Sequence, residues 1–243
     1  MTTSPEVKTI AQKLVLPQDE ENAATFVIVP VKKLNEAKSR LSLFLSENER
    51  KQFCLEMLED VLTAIRTTKG IFKIIVVSKD PQVLQIAKKF HVFPFKESRS
   101  GLNQAISEAI NWCIITNAKI TLILPADIPL VSSEDLNRIL AFGRTSSMVI
   151  SPSRRGHGTN ALLLNPPRAV PAFYGQDSFQ RYIEEASKRG IRFHVYRSPR
   201  IAFDVDTIED LADFVALNTS ETRAYRFLKE IGVRKRLEPH RKR

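Results

Sequence analysis

The sequence predicts an α/β sandwich around a mostly parallel sheet. Two observations carry that reading. Short runs rich in Val, Ile, Leu and Phe alternate with longer amphipathic segments, the pattern of strand–helix units stacked side by side. The unusual polar residues sit directly after those runs, where open α/β sheets bind their ligands. No internal repeat and no long Pro/Ser linker divides the chain.

The elements follow in order. Thr25 to Val31 reads as a buried strand. Ser46 to Thr68 is a long helix with Ser46 and Glu49 as its capping box. Phe72 to Ser78 is a second strand, and Asp80-Pro81 opens a helix with Pro at its first position. His91 to Phe95 is a short strand. Gly101 to Asn117 is a helix with Leu102, Ala105, Ile106, Ala109, Ile110 and Cys113 on one face. Lys119 to Leu124 is a strand and Ser132 to Phe142 a helix. Met148 to Ser151 and Ala161 to Leu164 are strands flanking a Gly-containing loop. Asp177 to Arg189 is a helix N-capped by Asp177 and stopped by Gly190, and Arg192 to Arg197 is a strand. Ile201 to Phe203 reads as a strand end, and Thr207 to Asn218 and Glu221 to Lys229 as the last core helices.

Composition sets bounds. The chain has 243 residues, 43% hydrophobic and 26% charged, enough for one domain burying roughly three quarters of its unfolded surface. The division expected is a polar N-terminal extension over 1–22, a single domain over 23–231 and a basic tail over 232–243. No apolar run approaches the ~18 residues that span a bilayer, and the polar N-terminal stretch lacks a signal-peptide core. Cys54 and Cys113 fall within helical patterns and read as core residues of a cytoplasmic, reducing compartment. The net charge is +10, and the last 23 residues hold nine Lys/Arg against three acids. Such a tail binds polyanions nonspecifically at most, because the motif pattern of a dedicated nucleic-acid reader is missing.

Four segments at run ends carry chemistry. The first, Pro30 to Leu41, contains Lys32, Lys38 and Arg40, counter-charges suited to a polyphosphate. Neither a P-loop nor a G-x-G-x-x-G motif is present. The second is L-P-A-D-I-P-L, in which two prolines stiffen the backbone around Asp127. The third, Ser153 to Asn160, offers glycines, arginines and Thr159 to an anion. The fourth is D-V-D-T-I-E-D. Asp204 and Asp206, at i and i+2, face one side of an extended segment, and Thr207 and Asp210 form a capping box that starts a helix. Two carboxylates on one face need a positive charge between them; a hard divalent cation is the usual one, with Asp127 as third ligand. Further along, Gly175 and Ser178 open a helix whose first turn can receive a phosphate, and Gly101 and Asn103 start another that can touch a nucleobase or ribose. Read singly, each segment is equally a turn, a cap or an exposed basic loop.

Read together, the motifs resemble the guanylyltransferases that make the phosphoester half of the deazaflavin coenzyme F-420. The carriers are V-P-V-K-x-L-x-x-A-K-S-R-L at 29–41, G-L-N at 101–103, L-P-A-D-I-P-L at 124–130, G-T-N-A-L at 158–162, Y-G-x-x-S-F at 174–179 and D-V-D-T-x-E-D-L at 204–211. The resemblance spans roughly Thr25 to Asn218. It implies a nucleotide-diphospho-sugar transferase (glycosyltransferase-A-like) three-layer sandwich with a mostly parallel mixed sheet. It implies GTP as donor and 2-phospho-L-lactate, phosphoenolpyruvate or 3-phospho-D-glycerate as acceptor. By resemblance, Asp127, Asp204 and Asp206 hold one or two Mg²⁺; Thr159, Gly175 and Ser178 bind the acceptor; Lys32, Lys38 and Arg40 serve the nucleotide and catalysis, with Gly101 and Asn103 also on the nucleotide. The alternatives are a molybdopterin guanylyltransferase-like enzyme, which usually carries a G-G-x-S-x-R loop where Pro30-Val31-Lys32 stands here, and a polyanion-binding module built on the tail. The partners expected are small molecules, with no membrane and no dedicated nucleic acid; a homodimer is left open.

Overall fold

β1 (Thr25–Pro30) buries its first five residues completely before half-buried Pro30. Phe26 and Ile28 enter one apolar cluster, Val27 and Val29 another. This is the period-two alternation of a strand covered on both faces. The computed structural model describes residues 24–98, 101–219 and 221–237. The extension expected over 1–22 and the end of the tail, 238–243, lie outside them.

β1 pairs in parallel with β2 (Ile71–Ser78), which pairs in parallel with β3 (Phe93–Lys96). On its other side β1 pairs in parallel with β4 (Ile120–Ile123). Between β4 and β5 (Met148–Pro152) lies β6 (Thr159–Leu164), antiparallel to both, and β7 (Phe193–Val195) closes the sheet parallel to β5. The order is β3-β2-β1-β4-β6-β5-β7, the mostly parallel mixed sheet expected.

One face of the sheet is covered by α1 (Glu47–Arg66), α2 (Pro81–Lys89) and α4 (Ser133–Gly143), with the C-terminal helices. The other is covered by α3 (Leu102–Ile115) and α5 (Ser178–Lys188). The caps expected on α1 and α2 are present: Ser46 and Glu49 form a capping box, and Asp80 accepts from the Gln82 amide ahead of Pro81. Asp80 also accepts from the Leu34 amide at 3.0 Å, tying the loop after β1 to the start of α2. No described helix is long and apolar enough to cross a membrane, and both cysteines are free and buried.

Three expectations need correction. Ile201 to Phe203 is no strand: Pro199–Ala202 forms a short helix, α6. Ser198 accepts from the Ile201 amide and Pro199 takes the first position, a start signal that overrides a three-residue apolar run. Asp177 does not cap α5. Its backbone is left-handed, φ 54°, and its carboxylate meets His157 Nδ1 at 3.1 Å instead.

The third correction concerns the tail. After α7 (Ile208–Ala216) come α8 (Arg223–Glu230) and α9 (Val233–Leu237). α9 falls within the stretch read as an appendage, yet Val233 and Leu237 are buried in the main core. Arg236 donates to both Glu49 oxygens, at 3.0 and 2.8 Å, and to the Phe44 carbonyl at 2.9 Å. At the start of α8, Asp60 accepts from the Arg223 and Ala224 amides at 2.8 and 2.9 Å. Acids of α1 thus receive the basic C-terminal helices. Dense positive charge hides two apolar residues at helical spacing.

Candidate active site

A cleft of about 490 Å³ opens at the carboxyl ends of β1 and β4. Nine residues singled out from the sequence line it: Lys32, Lys38, Arg40, Asp127, Thr159, Gly175, Ser178, Asp204 and Asp206. They come from five segments far apart in sequence, assembled because those segments meet at the same end of the sheet.

Lys38 is the centre of the cleft's charge. Its backbone is left-handed, φ 52° and ψ 35°, an arrangement costing an L-residue about 1 kcal/mol. That turn sends a long side chain inward, where it is only 6% exposed. Its Nζ donates to Asp127 Oδ2 at 2.7 Å and to Asp206 Oδ1 at 2.5 Å. Burial alone would lower the pKa of this ammonium. The charges of the two aspartates and their hydrogen bonds outweigh burial and hold it above its ordinary value. Asp206 is the mirror case: burial pushes it up, but Lys38, with Arg40 and Lys32 beyond, holds it below the usual carboxylate value.

Among the described residues no cation pairs with Asp204. Its Oδ1 accepts from Asn160 Nδ2 at 3.0 Å, and burial first, then the neighbouring Asp127 and Asp206, raise its pKa. Asn160 also donates to the Ile201 carbonyl. The Val205 amide donates to the Asp127 carbonyl at 3.1 Å, locking the two acidic loops together. The capping box expected at Thr207 and Asp210 is present, and Asp210 accepts in addition from the Asp206 amide. This fixes where the D-x-D pair sits relative to α7.

The expectation of a ready-made Mg²⁺ site is modified by this geometry. The donor set, three carboxylates, has the hardness a divalent ion requires. The place between Asp127 and Asp206 is filled, however, by the Lys38 ammonium. Among the described residues no group of three or more His, Cys, Asp or Glu side chains is arranged to hold a metal ion. The positive charge facing Asp206 is therefore supplied by the chain itself, while Asp204 meets the Asn160 amide.

Also lining the cleft, Ser178 Oγ lies 3.1 Å from Thr159 Oγ1, both residues buried. The first-turn amides of α5 are partly occupied, Ser178 N by the Gly175 carbonyl and Phe179 N by that of His157. What this wall offers is the hydroxyl pair rather than an open helix terminus. Gly175 has φ +123°, which excludes other residues without strain.

Two residues do not join this group. Asn103 clamps the backbone of Tyr174, donating to its carbonyl at 2.9 Å and accepting from its amide at 2.7 Å. Gly101 lines a neighbouring cavity. The arginines of the 153–160 loop are also engaged: Arg154 pairs with Asp213 at 2.7 Å and Asp210 at 3.3 Å, and Arg155 with Asp210 and Thr207. They staple the loop to α7. Reading the sequence gave Asn160 no role of its own; its position directly after Thr159, as the second residue of β6, was the available signal.

The fold and this cleft define a nucleotidyltransferase. Among solved structures, the chain superposes on a nucleotidyl transferase from Methanothermobacter with a TM-score of 0.58 at 15% identity, covering 86% of this chain and 99% of that one. It superposes on a cytidylyltransferase from Leptospira borgpetersenii with a TM-score of 0.59 at 16% identity, covering 88% and 95%. Those likenesses establish the fold. A family described as "Guanylyl transferase CofC like" matches residues 25–242, so the chain belongs to that family. It is 37% identical over 208 residues to a 2-phospho-L-lactate guanylyltransferase of Methanocaldococcus jannaschii, covering 85% of this chain and 89% of the relative. It is 40% identical over 190 residues to a phosphoenolpyruvate guanylyltransferase of Rubrobacter xylanophilus, covering 78% and 92%.

Proposed function

We propose that this chain transfers GMP from GTP to a small phosphorylated carboxylic acid, with release of pyrophosphate, as a step of coenzyme F-420 synthesis in the cytoplasm. One observation carries the reading: nine residues picked from separate motifs line a single cleft that gathers three cations, three carboxylates and two hydroxyls. An oxygen of the acceptor phosphate attacks the α-phosphorus of GTP. The new P–O bond forms as the bond to the β-phosphate oxygen breaks, and the electron pair leaves on pyrophosphate. A phosphate is already ionised at neutral pH, so no general base is required. Catalysis then rests on position and charge.

Lys32, Lys38 and Arg40 neutralise the triphosphate and the departing pyrophosphate. The Thr159 and Ser178 hydroxyls donate to the acceptor's phosphate, with Gly175 leaving that wall open to it. Asp127, Asp204 and Asp206 are the oxygen donors that would hold a divalent ion accompanying the triphosphate, once Lys38 turns aside; such an ion supplies further charge neutralisation. The test is incubation with GTP, Mg²⁺ and, in turn, 2-phospho-L-lactate, phosphoenolpyruvate and 3-phospho-D-glycerate, with mass detection of the diphosphate-linked product. One acceptor should yield product with equimolar pyrophosphate. Turnover of none, or equal use of ATP, would defeat the reading.

A further inference from the structure

Beside the main cleft lies a second cavity of about 260 Å³. The two share Pro30, Val31, Lys32, Glu36 and Leu102 in their walls, so a ligand in the cleft can extend into it. It is smaller than the ~300–1,000 Å³ that takes a whole drug-sized ligand and suits one ring system. Val31, Val77, Leu102 and Ala105 supply apolar surface for the faces of a flat ring. The polar groups are lysines and two carboxylates, Glu36 and Glu97.

The two acids differ. Glu36 is exposed, whereas Glu97 is half-buried just past the end of β3, its amide bonded to the Ser78 carbonyl. Burial is the chief influence on the Glu97 carboxyl and raises it; Lys79 and Lys33 act the other way and favour the ionised form. No described hydrogen bond ends on its carboxylate oxygens.

Among the common nucleobases, guanine alone presents two adjacent N–H donors, N1–H and the 2-amino group, on its pairing edge. A carboxylate accepts both at once. Adenine offers an N1 lone pair in the same place, which a carboxylate repels. We propose that the 260 Å³ cavity takes the guanine ring and that Glu97 reads its N1–H and 2-amino edge, making Glu97 the residue that selects GTP. The inference rests on the guanylyl-transfer reading above; Lys32 and Gly101, which the resemblance gave to the nucleotide, line this cavity, and Glu97 is the residue it did not mark.

The test is nucleotide binding to the full chain without acceptor, so that no chemistry intervenes. GTP, ITP and ATP are titrated by calorimetry into the unaltered protein, Glu97→Gln and Glu36→Gln. ITP keeps N1–H and lacks the 2-amino group. The unaltered protein and Glu36→Gln should bind GTP roughly tenfold or more tighter than ITP, the effect of one hydrogen bond to a charged group. ATP should bind more weakly than ITP. Glu97→Gln should weaken GTP about ten- to hundredfold and bring GTP and ITP within about threefold of each other. A circular dichroism melt checks that the half-exposed site still folds. Unchanged GTP-over-ITP preference in folded Glu97→Gln overturns the role of Glu97 and leaves guanylyl transfer standing; loss of preference in Glu36→Gln instead moves the role to the other acid and overturns the assignment. Equal binding of all three nucleotides by the unaltered protein would defeat both the inference and the guanylyl reading beneath it.

Discussion

Replacing Lys38 by Met keeps an unbranched side chain one atom shorter and removes the ammonium, with its charge and its hydrogen bonds to Asp127 and Asp206. Asp127, Asp206 and Asp204 are then left facing one another without the ammonium that now joins two of them. Removing one partner of a fully buried pair costs roughly 3–5 kcal/mol. Here the stranded carboxylates are 28% and 43% exposed, so water takes up part of the loss, and about 2 kcal/mol is the reasonable figure. For a chain of this size that lowers Tm by roughly 4–8 °C. The pH window follows from the two shifts. Lys38 is raised, so its contribution is present below its usual 10.5 and lost as pH climbs through the folded value. Asp206 is lowered, so its contribution is present above its usual 3.8 and lost as pH falls. The difference between Lys38→Met and the unaltered chain should therefore be full near pH 7 and shrink toward both extremes. Thermal melts at low salt make the measurement: the difference should stay level from about pH 4 to about pH 10 and shrink below 3.8 and above 10.5. Because the ammonium and a divalent ion need the same oxygens, Mg²⁺ should raise the Tm of the variant more than that of the parent. A melt unchanged within about 1 °C at pH 7, with no extra response to Mg²⁺, would refute the account of Lys38 as the resident counter-charge.

Four further outcomes follow from the same contacts. Asp204→Asn keeps an oxygen able to accept from Asn160, so the protein should fold while turnover drops by on the order of a hundredfold; near-normal rates in steady-state assays would remove Asp204 from the chemistry. Ser178→Ala should raise the acceptor KM about ten- to hundredfold and leave the GTP KM alone, and the reverse split would exchange the two substrate walls. Asn103→Ala frees Tyr174 without touching the main cleft, so the acceptor KM should again rise while guanine-nucleotide binding by calorimetry holds. Deleting 232–243 takes away buried Val233 and Leu237 and the Arg236–Glu49 pair; at about 1.5–3 kcal/mol for each apolar side chain, denaturant midpoints should fall clearly while turnover at low temperature persists.

The sheet was legible because its strands are unambiguous. Runs such as Thr25–Pro30 and Ile71–Ser78 admit few other structures, and caps such as Ser46/Glu49 and Thr207/Asp210 mark helix starts by local chemistry alone. Two of the three elements misread are settled at a distance, and one by a local cap beside an apolar run. Ile201 looked like strand until Ser198 and Pro199 are seen to start a turn of helix. Asp177 looked like a cap until His157, twenty residues away, takes its carboxylate. α9 looked like solvated charge because its partners on α1, Glu49 above all, lie more than 180 residues earlier. Within the site, the motifs named the right residues but not their pairing. Nothing in the spacing of Lys38, Asp127 and Asp206 says that one amine reaches both acids; that depends on a left-handed turn at Lys38 and on three loops converging at one sheet end.

The Asn103 clamp has a mechanical meaning. Tyr174 is held through both its amide and its carbonyl by a side chain in the first turn of α3. Gly101 and Leu102, just before it, line the smaller cavity, while Gly175, just after Tyr174, lines the acceptor wall. The two ends of the cleft therefore hang on one strut. On the proposed assignment, a ring in the smaller cavity would rest beside the helix start whose Asn103 also holds the backbone next to Gly175. The base of one substrate and the phosphate of the other would then each lie against backbone held in place by the same two hydrogen bonds.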